Sequence, residues 1–98
     1  MRMYFDEFIS YIKHERRYSV HTASAYAKDL DVFTGYLNDE YECKSITEAT
    51  HVMIRSWIVA ELESGVKISS VKRRISTLRS FFKFAQSRGM VAVNPMLK

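Results

Sequence analysis

Residues 69–85 read Ser69-Ser70-Val71-Lys72-Arg73-Arg74-Ile75-Ser76-Thr77-Leu78-Arg79-Ser80-Phe81-Phe82-Lys83-Phe84-Ala85. Val71, Ile75, Leu78, Phe82 and Ala85 recur at intervals of three and four, which sets them along one side of a helix as a buried apolar stripe. No proline or glycine interrupts the run. Ser69 or Ser70 is placed to cap it, and Gly89 can adopt the left-handed conformation that ends a helix after about Arg88. Opposite the stripe, a turn of about 100° per residue gathers Lys72, Arg73, Ser76, Arg79, Ser80, Lys83 and Ser87.

The same reading extends to the rest of the chain. Phe5, Phe8, Ile9 and Ile12 sit at helical spacing in a first helix over roughly Met3–Glu15, with Tyr4 and Tyr11 on its margins. A short turn at Glu15–Tyr18 follows. Ser19 is a good N-cap for a second helix running to about Leu37, with Ala23, Tyr26, Ala27, Leu30, Phe33 and Leu37 inward. Gly35 in that helix marks either a close crossing or early fraying. Asn38–Lys44 reads as a polar loop, and Ser45-Ile46-Thr47-Glu48 has the spacing of a capping box. Thr50 caps a third helix that carries Met53, Ile54, Trp57, Ile58 and Leu62 inward and ends at Gly65. The chain then exits through Asn94-Pro95, a pair that favours a turn and blocks further helix. The expected fold class is all-α, with four helices.

Composition bounds the function. Ninety-eight residues support one core, and 47% hydrophobic with 27% charged residues is a folding composition. Cys43 is the only cysteine, which excludes an internal disulfide, and with just His14, His21 and His51 there is no zinc pattern. No metal or other cofactor is expected. No apolar run reaches membrane-spanning length and the opening residues lack a secretory signal, so a cytoplasmic location without membrane contact is expected. Charge is polarised along the chain: residues 1–49 carry six Lys/Arg against nine Asp/Glu, and residues 50–98 carry nine against two. A one-signed basic surface attracts polyanions, which makes nucleic acid the first partner to consider.

The placement of the cations sharpens this. On the fourth helix they interleave with small hydroxyl residues and no glutamate, which lets a phosphate backbone approach closely. Lys72 and Arg73 are expected in the first turn, where the macrodipole disfavours cations unless an external anion is present. Replacing both with glutamate is expected to abolish binding without unfolding the bundle. On the second helix His21, Ser24, Ala25, Lys28 and Val32 lie opposite the apolar stripe. Ser19, Thr22 and the first-turn amides are placed to grip a phosphate while Ser24, Ala25 and Lys28 approach base edges. The plainer alternatives are a solvated face and a surface histidine. The tyrosines read as amphipathic packing rather than nucleophiles. Asp29, Asp31, Asp39, Glu40 and Glu42 read as solvated acids. Phe81 and Phe84 either stay partly exposed as a contact with another domain or protomer, or complete the core against the first helix.

Two strings resemble a known family. Glu15-Arg16-Arg17-Tyr18-Ser19-Val20-His21-Thr22, followed by Ala25-Tyr26, Asp29-Leu30, Phe33 and Tyr36-Leu37, resembles the opening of the tyrosine recombinase core-binding domain. Ser70 through Phe84, with Gly89 and Asn94-Pro95, is similar to its last helix and exit. The likeness spans nearly the whole chain and is nearest to phage integrases and bacterial Xer-type recombinases. It implies a SAM-like four-helix bundle forming one jaw of a clamp on duplex DNA at a recombination half-site, with the second and fourth helices facing the DNA. The resemblance implies Thr22, Ser24, Ala25 and Lys28, with Lys72, Arg73, Ser76, Arg79, Ser80 and Lys83, and the reading of the second helix adds Ser19 and His21 as candidates. Residues 1–93 would form the core-binding domain and 94–98 the start of a linker to an absent catalytic domain, so this chain is not expected to be an enzyme by itself. Double-stranded DNA, the protein's own catalytic domain and other recombinase protomers are the implied partners. The alternatives are a SAM-like protein–protein interaction module and a stand-alone, non-catalytic regulator of recombination.

Overall fold

The first helix, α1 (Arg2–His14), forms around Phe5, Phe8 and Ile12, whose spacing puts all three rings and chains on one buried side. The computed structural model describes residues 2–97, with side chains from Phe5 onward. The expectations for Tyr4 at the margin of α1 and for Lys98 fall outside those side chains. α1 is closed by the Tyr18 amide, which donates to the Ile12 carbonyl at 2.8 Å across a turn in which Arg17 takes a positive φ of 55°.

Ser19 then caps α2 (Val20–Tyr41), its hydroxyl oxygen accepting from the Thr22 amide at 3.1 Å. α2 continues a full turn past the expected end at Leu37. Asn38, Asp39 and Glu40 are exposed and carry no apolar signal, but their backbone still satisfies itself until Glu42, at φ 55°, ends the helix. Gly35 faces open space inside an unfrayed helix, so neither a close crossing nor early fraying accounts for it. Ala23, Leu30, Phe33 and Leu37 are buried as expected, whereas Tyr26 and Ala27 are half-buried.

A capping box on Ser45 and Glu48 closes a 3-10 turn at Ile46–Glu48. Thr50 caps α3 (His51–Glu63), accepting from the Met53 amide at 3.3 Å. Ile54 and Trp57 are buried, but Leu62, expected inward, is 47% exposed. In the last turn of α3 the inward register belongs to Glu61, one residue earlier, which pairs with Arg74 of the next helix.

Gly65, at φ 88°, turns the chain into α4 (Ile68–Ser87). This helix begins earlier than the serines predict. Lys67 occupies the cap position without a side-chain hydrogen bond, and Ser69 and Ser70 lie inside the first turn. Lys72 and Arg73 therefore sit in the second turn, and the conflict with the macrodipole inferred from the sequence is largely removed. Val71, Leu78, Phe82 and Ala85 are buried and Ile75 is half-buried. Gly89 (φ 72°) ends the helix, after which Met90 donates to the Ala85 carbonyl at 2.8 Å. A second 3-10 turn at Pro95–Leu97 packs on α3 and α4, with Asn94 and Pro95 buried.

The four helices make an all-α bundle, and among the described residues there is no strand. Its centre is aromatic. Phe81 meets Phe5, Phe8 and Phe82 edge-on with ring centroids 5.8, 5.4 and 5.3 Å away. Phe84 lies 5.5 Å from Phe8 and 4.9 Å from Tyr11. Phe81 and Phe84 are thus buried against α1, which removes them as a surface for another domain and bears out the alternative that they complete the core.

Candidate nucleic-acid interface

α2 and α4 meet along a seam whose register is given by three contacts. Asp29 faces Arg73 and Thr77, and one turn earlier on α2 Tyr26 faces Ser80, further along α4. The two helices therefore run antiparallel. On each, the residue preceding the seam contact is a lysine, Lys28 beside Asp29 and Lys72 beside Arg73. In antiparallel right-handed helices, equal rotations in the same sense from the contact line bring side chains out on the same side of the pair. Ser24, Ala25 and Lys28 thus share one side with Lys72, Ser76, Arg79 and Lys83. Lys72 to Lys83 spans about 16 Å along the axis at 1.5 Å per residue.

The side chains expected from the sequence behave in three ways. Lys28, Lys72, Ser76, Arg79 and Lys83 are exposed, as are His21 and Ser24, and Ala25 leaves a low point between them. No carboxylate among the described residues lies within ion-pair distance of Lys28, Lys72, Arg79 or Lys83. Ser19 and Thr22 engage each other, the Ser19 hydroxyl donating to Thr22 Oγ1 at 3.0 Å, so they hold the start of α2 in shape. Ser80 is half-buried beside Tyr26, whose phenol is pushed up mainly by burial, then by Tyr18, and eased back by Ser80.

Arg73 is paired within the bundle. Its Nε and Nη2 donate to the two oxygens of Asp29 at 3.0 and 2.6 Å. Asp29 is 1% exposed and not a solvated acid. It also accepts from Thr77 Oγ1 at 2.8 Å and has Arg74 Nε at 3.6 Å. Arg74 in turn bonds Glu61, so a buried polar chain ties α2, α4 and α3 together. Asp29 holds the Arg73 pKa above its usual range, chiefly through that hydrogen bond. Replacing Arg73 with glutamate would set a second carboxylate against buried Asp29, so, contrary to the reading from sequence, the bundle would not tolerate it. With a side chain 43% exposed, Arg73 still presents the outer edge of its guanidinium at the seam.

Sequence reasoning missed Asp29, Arg74 and Thr77, which position the face, and Arg16, which lies beside it. Asp29 falls three residues after Tyr26 and four before Phe33, and Arg74 three after Val71 and four before Leu78. A charged residue on an apolar line is the signal that could have revealed them.

Cys43 is buried and its thiol is pushed up by that burial, which disfavours the reactive thiolate. Among the described residues no group of His, Cys, Asp and Glu could hold a metal ion, and no helix is long and apolar enough to cross a membrane. What the geometry offers is a two-helix cationic ledge whose seam acid, Asp29, is paired with Arg73.

Residues 5–89 match the family described as phage integrase, N-terminal SAM-like domain. The chain belongs to that family. The SAM-like domain fold accords with the four-helix bundle and extends over nearly all of it. Among curated relatives, a tyrosine recombinase XerC of Oceanobacillus iheyensis is 33% identical over 98 residues, covering 100% of this chain and 32% of the relative. One from Thermodesulfovibrio yellowstonii is 33% identical over 94 residues, covering 96% of this chain and 30% of the relative. A third, from Listeria monocytogenes serotype 4a, is 33% identical over 89 residues, 91% of this chain and 29% of the relative. The chain thus spans about a third of the length of these recombinases. No solved structure matches it.

Proposed function

We propose that this chain is the DNA-binding module of a site-specific tyrosine recombinase, holding duplex DNA at a recombination half-site through α2 and α4. The observation that carries the reading is the exposed line Lys72, Ser76, Arg79 and Lys83 beside Lys28, with no carboxylate among the described residues within ion-pair distance of these cations. Cations in such a line release counterions when they meet phosphates, and the serines add short donors to the same backbone. Ser24 and Ala25 keep the neighbouring α2 surface low enough for a groove edge. Membership of the SAM-like integrase family, and relatives named as tyrosine recombinases, point the same way.

On this reading residues 1–93 are the core-binding domain, and the chain from residue 94, although Asn94 and Pro95 still pack on the bundle, leads toward a catalytic domain. Strand cleavage belongs to that other domain, and further recombinase protomers are partners on the DNA. Backbone contacts dominate, so an isolated module binds random duplex at about micromolar strength or weaker.

Fluorescence anisotropy with a labelled duplex tests this. The variant Lys72→Glu/Lys83→Glu is expected to bind about 100-fold more weakly at low salt, since two phosphate contacts become repulsions. Both side chains are exposed, so its melting midpoint should stay close to that of the unmodified chain. Unchanged affinity would reject the face. Salt-insensitive association with a protein and no binding to any duplex would instead favour an interaction module.

A further inference from the structure

Beside the α2–α4 face, a groove of about 360 Å³ opens between the α1–α2 turn and the C-terminal half of α4. Three cations stand around it: Arg16 from the turn, and Arg79 and Lys83 from α4. Its walls include Tyr11 and Tyr18, with Phe84 beneath. Arg16 is placed over the Tyr18 ring, its guanidinium carbon 5.7 Å from the centroid. Its pKa is raised, first through the Tyr11 hydroxyl and then through Tyr18. The positive φ of Arg17 makes the turn that directs it there.

The neighbouring charges make this cluster unusual. Glu15, the residue before Arg16, pairs with Arg88 at 3.5 Å, across Tyr11 from the groove. Arg88 is further covered by Tyr11 and Phe84, at 5.7 and 4.7 Å from the ring centroids. A carboxylate adjacent in sequence is therefore spent elsewhere. Among the described residues Arg16, Arg79 and Lys83 have no carboxylate within ion-pair distance. Like charges collected on one concavity repel one another, and an external anion relieves that repulsion. Arg16, Arg79 and Lys83 are all exposed, so an anion reaches them directly.

We propose that this groove is a second phosphate-binding site, in which Arg16 joins Arg79 and Lys83 in holding a phosphodiester of the duplex backbone at the α1–α2 corner. The inference rests on the reading of the α2–α4 face as a DNA surface, which it extends past the end of α2 onto a different element. Tyr11 and Tyr18 position Arg16, and their hydroxyls are available as donors to the phosphate oxygens. The groove bounds the tract contacted by α4, so the backbone is held at the end of the ledge as well as along it.

The test is anisotropy of one labelled duplex with the unmodified chain, Arg16→Gln, Arg16→Lys and Lys72→Glu, each titrated between 50 and 200 mM salt. Arg16→Gln is expected to bind roughly 10-fold more weakly at the lowest salt, with a slope of log K against log salt shallower by about one. Arg16→Lys should recover most of the loss, because a point charge suffices for a phosphate. Wild-type affinity and slope for Arg16→Gln, alongside lost binding by Lys72→Glu, would overturn the second site and leave the α2–α4 face standing. Weakened binding by Arg16→Gln with an unaltered slope would also overturn it, since no phosphate contact would have been removed. If the unmodified chain binds no duplex, both readings fall together.

Discussion

Replacing Phe81 with alanine is expected to cost about 3–5 kcal/mol of stability. Phe81 is fully buried, and its ring joins α4 to α1 through Phe5 and Phe8 while touching Phe82 on its own helix. Truncation removes three edge-on aromatic contacts and leaves a cavity walled by other rings. Rings pack on their edges and cannot collapse into the space as flexible side chains do. For a domain of this length each kcal/mol corresponds to about 4–8 °C in melting temperature, so the variant should melt at least about 12 °C lower. Urea unfolding followed by circular dichroism measures it. A loss below about 1 kcal/mol would mean that Phe81 is not the hinge between these two helices.

Asp29→Ala is expected to lose about 3 kcal/mol, for an electrostatic reason. Asp29 is the shared acceptor for Arg73 and Thr77 and faces Arg74. Without it Thr77 keeps only the Arg73 carbonyl, and Arg74, whose Nε is buried without a hydrogen-bond partner, loses its nearest carboxylate on α2. Removing one member of a buried ion pair costs roughly 3–5 kcal/mol, because the other charge stays behind in a poor solvent. Arg73 can turn to water, which puts the loss at the lower end. The combined variant Asp29→Ala/Arg73→Ala should therefore be less destabilised than the sum of its two parts, a difference that urea unfolding of all four proteins would resolve. Strict additivity, or a loss under about 1 kcal/mol for Asp29→Ala, would show that the pair does not fasten α2 to α4.

Those two substitutions also mark how far the sequence could be read. The stripe from Val71 to Ala85, the caps Ser19 and Thr50, and the closing glycines Gly65 and Gly89 are local signals, and each operates where its spacing places it. The start of α4 was not legible, because Lys67 caps through backbone alone and offers no side-chain signature. The end of α2 was hidden by exposed polar residues that leave no apolar period. By composition alone Asp29 does not stand apart from the other acids of the first half. Its place on the apolar line is a local sign of burial, but its partner Arg73 lies 44 residues further along, and no local pattern encodes that meeting. Glu61 and Leu62 exchanged roles for a similar reason: Arg74 across the interface makes the charged residue the inward one. On the candidate face, helical period was enough to gather Lys72, Ser76, Arg79 and Lys83, since they share one helix. Arg16 belongs to a turn, where period says nothing, and only the fold brings it to the end of that line.

The measurement that bears most directly on the central claim is the salt dependence of duplex binding by the unmodified chain. With four to six phosphates neutralised by the α2–α4 face and the adjoining groove, log K should fall against log salt with a slope of roughly −4 to −5. A slope near zero, or no detectable complex with any duplex at low salt, would contradict the account.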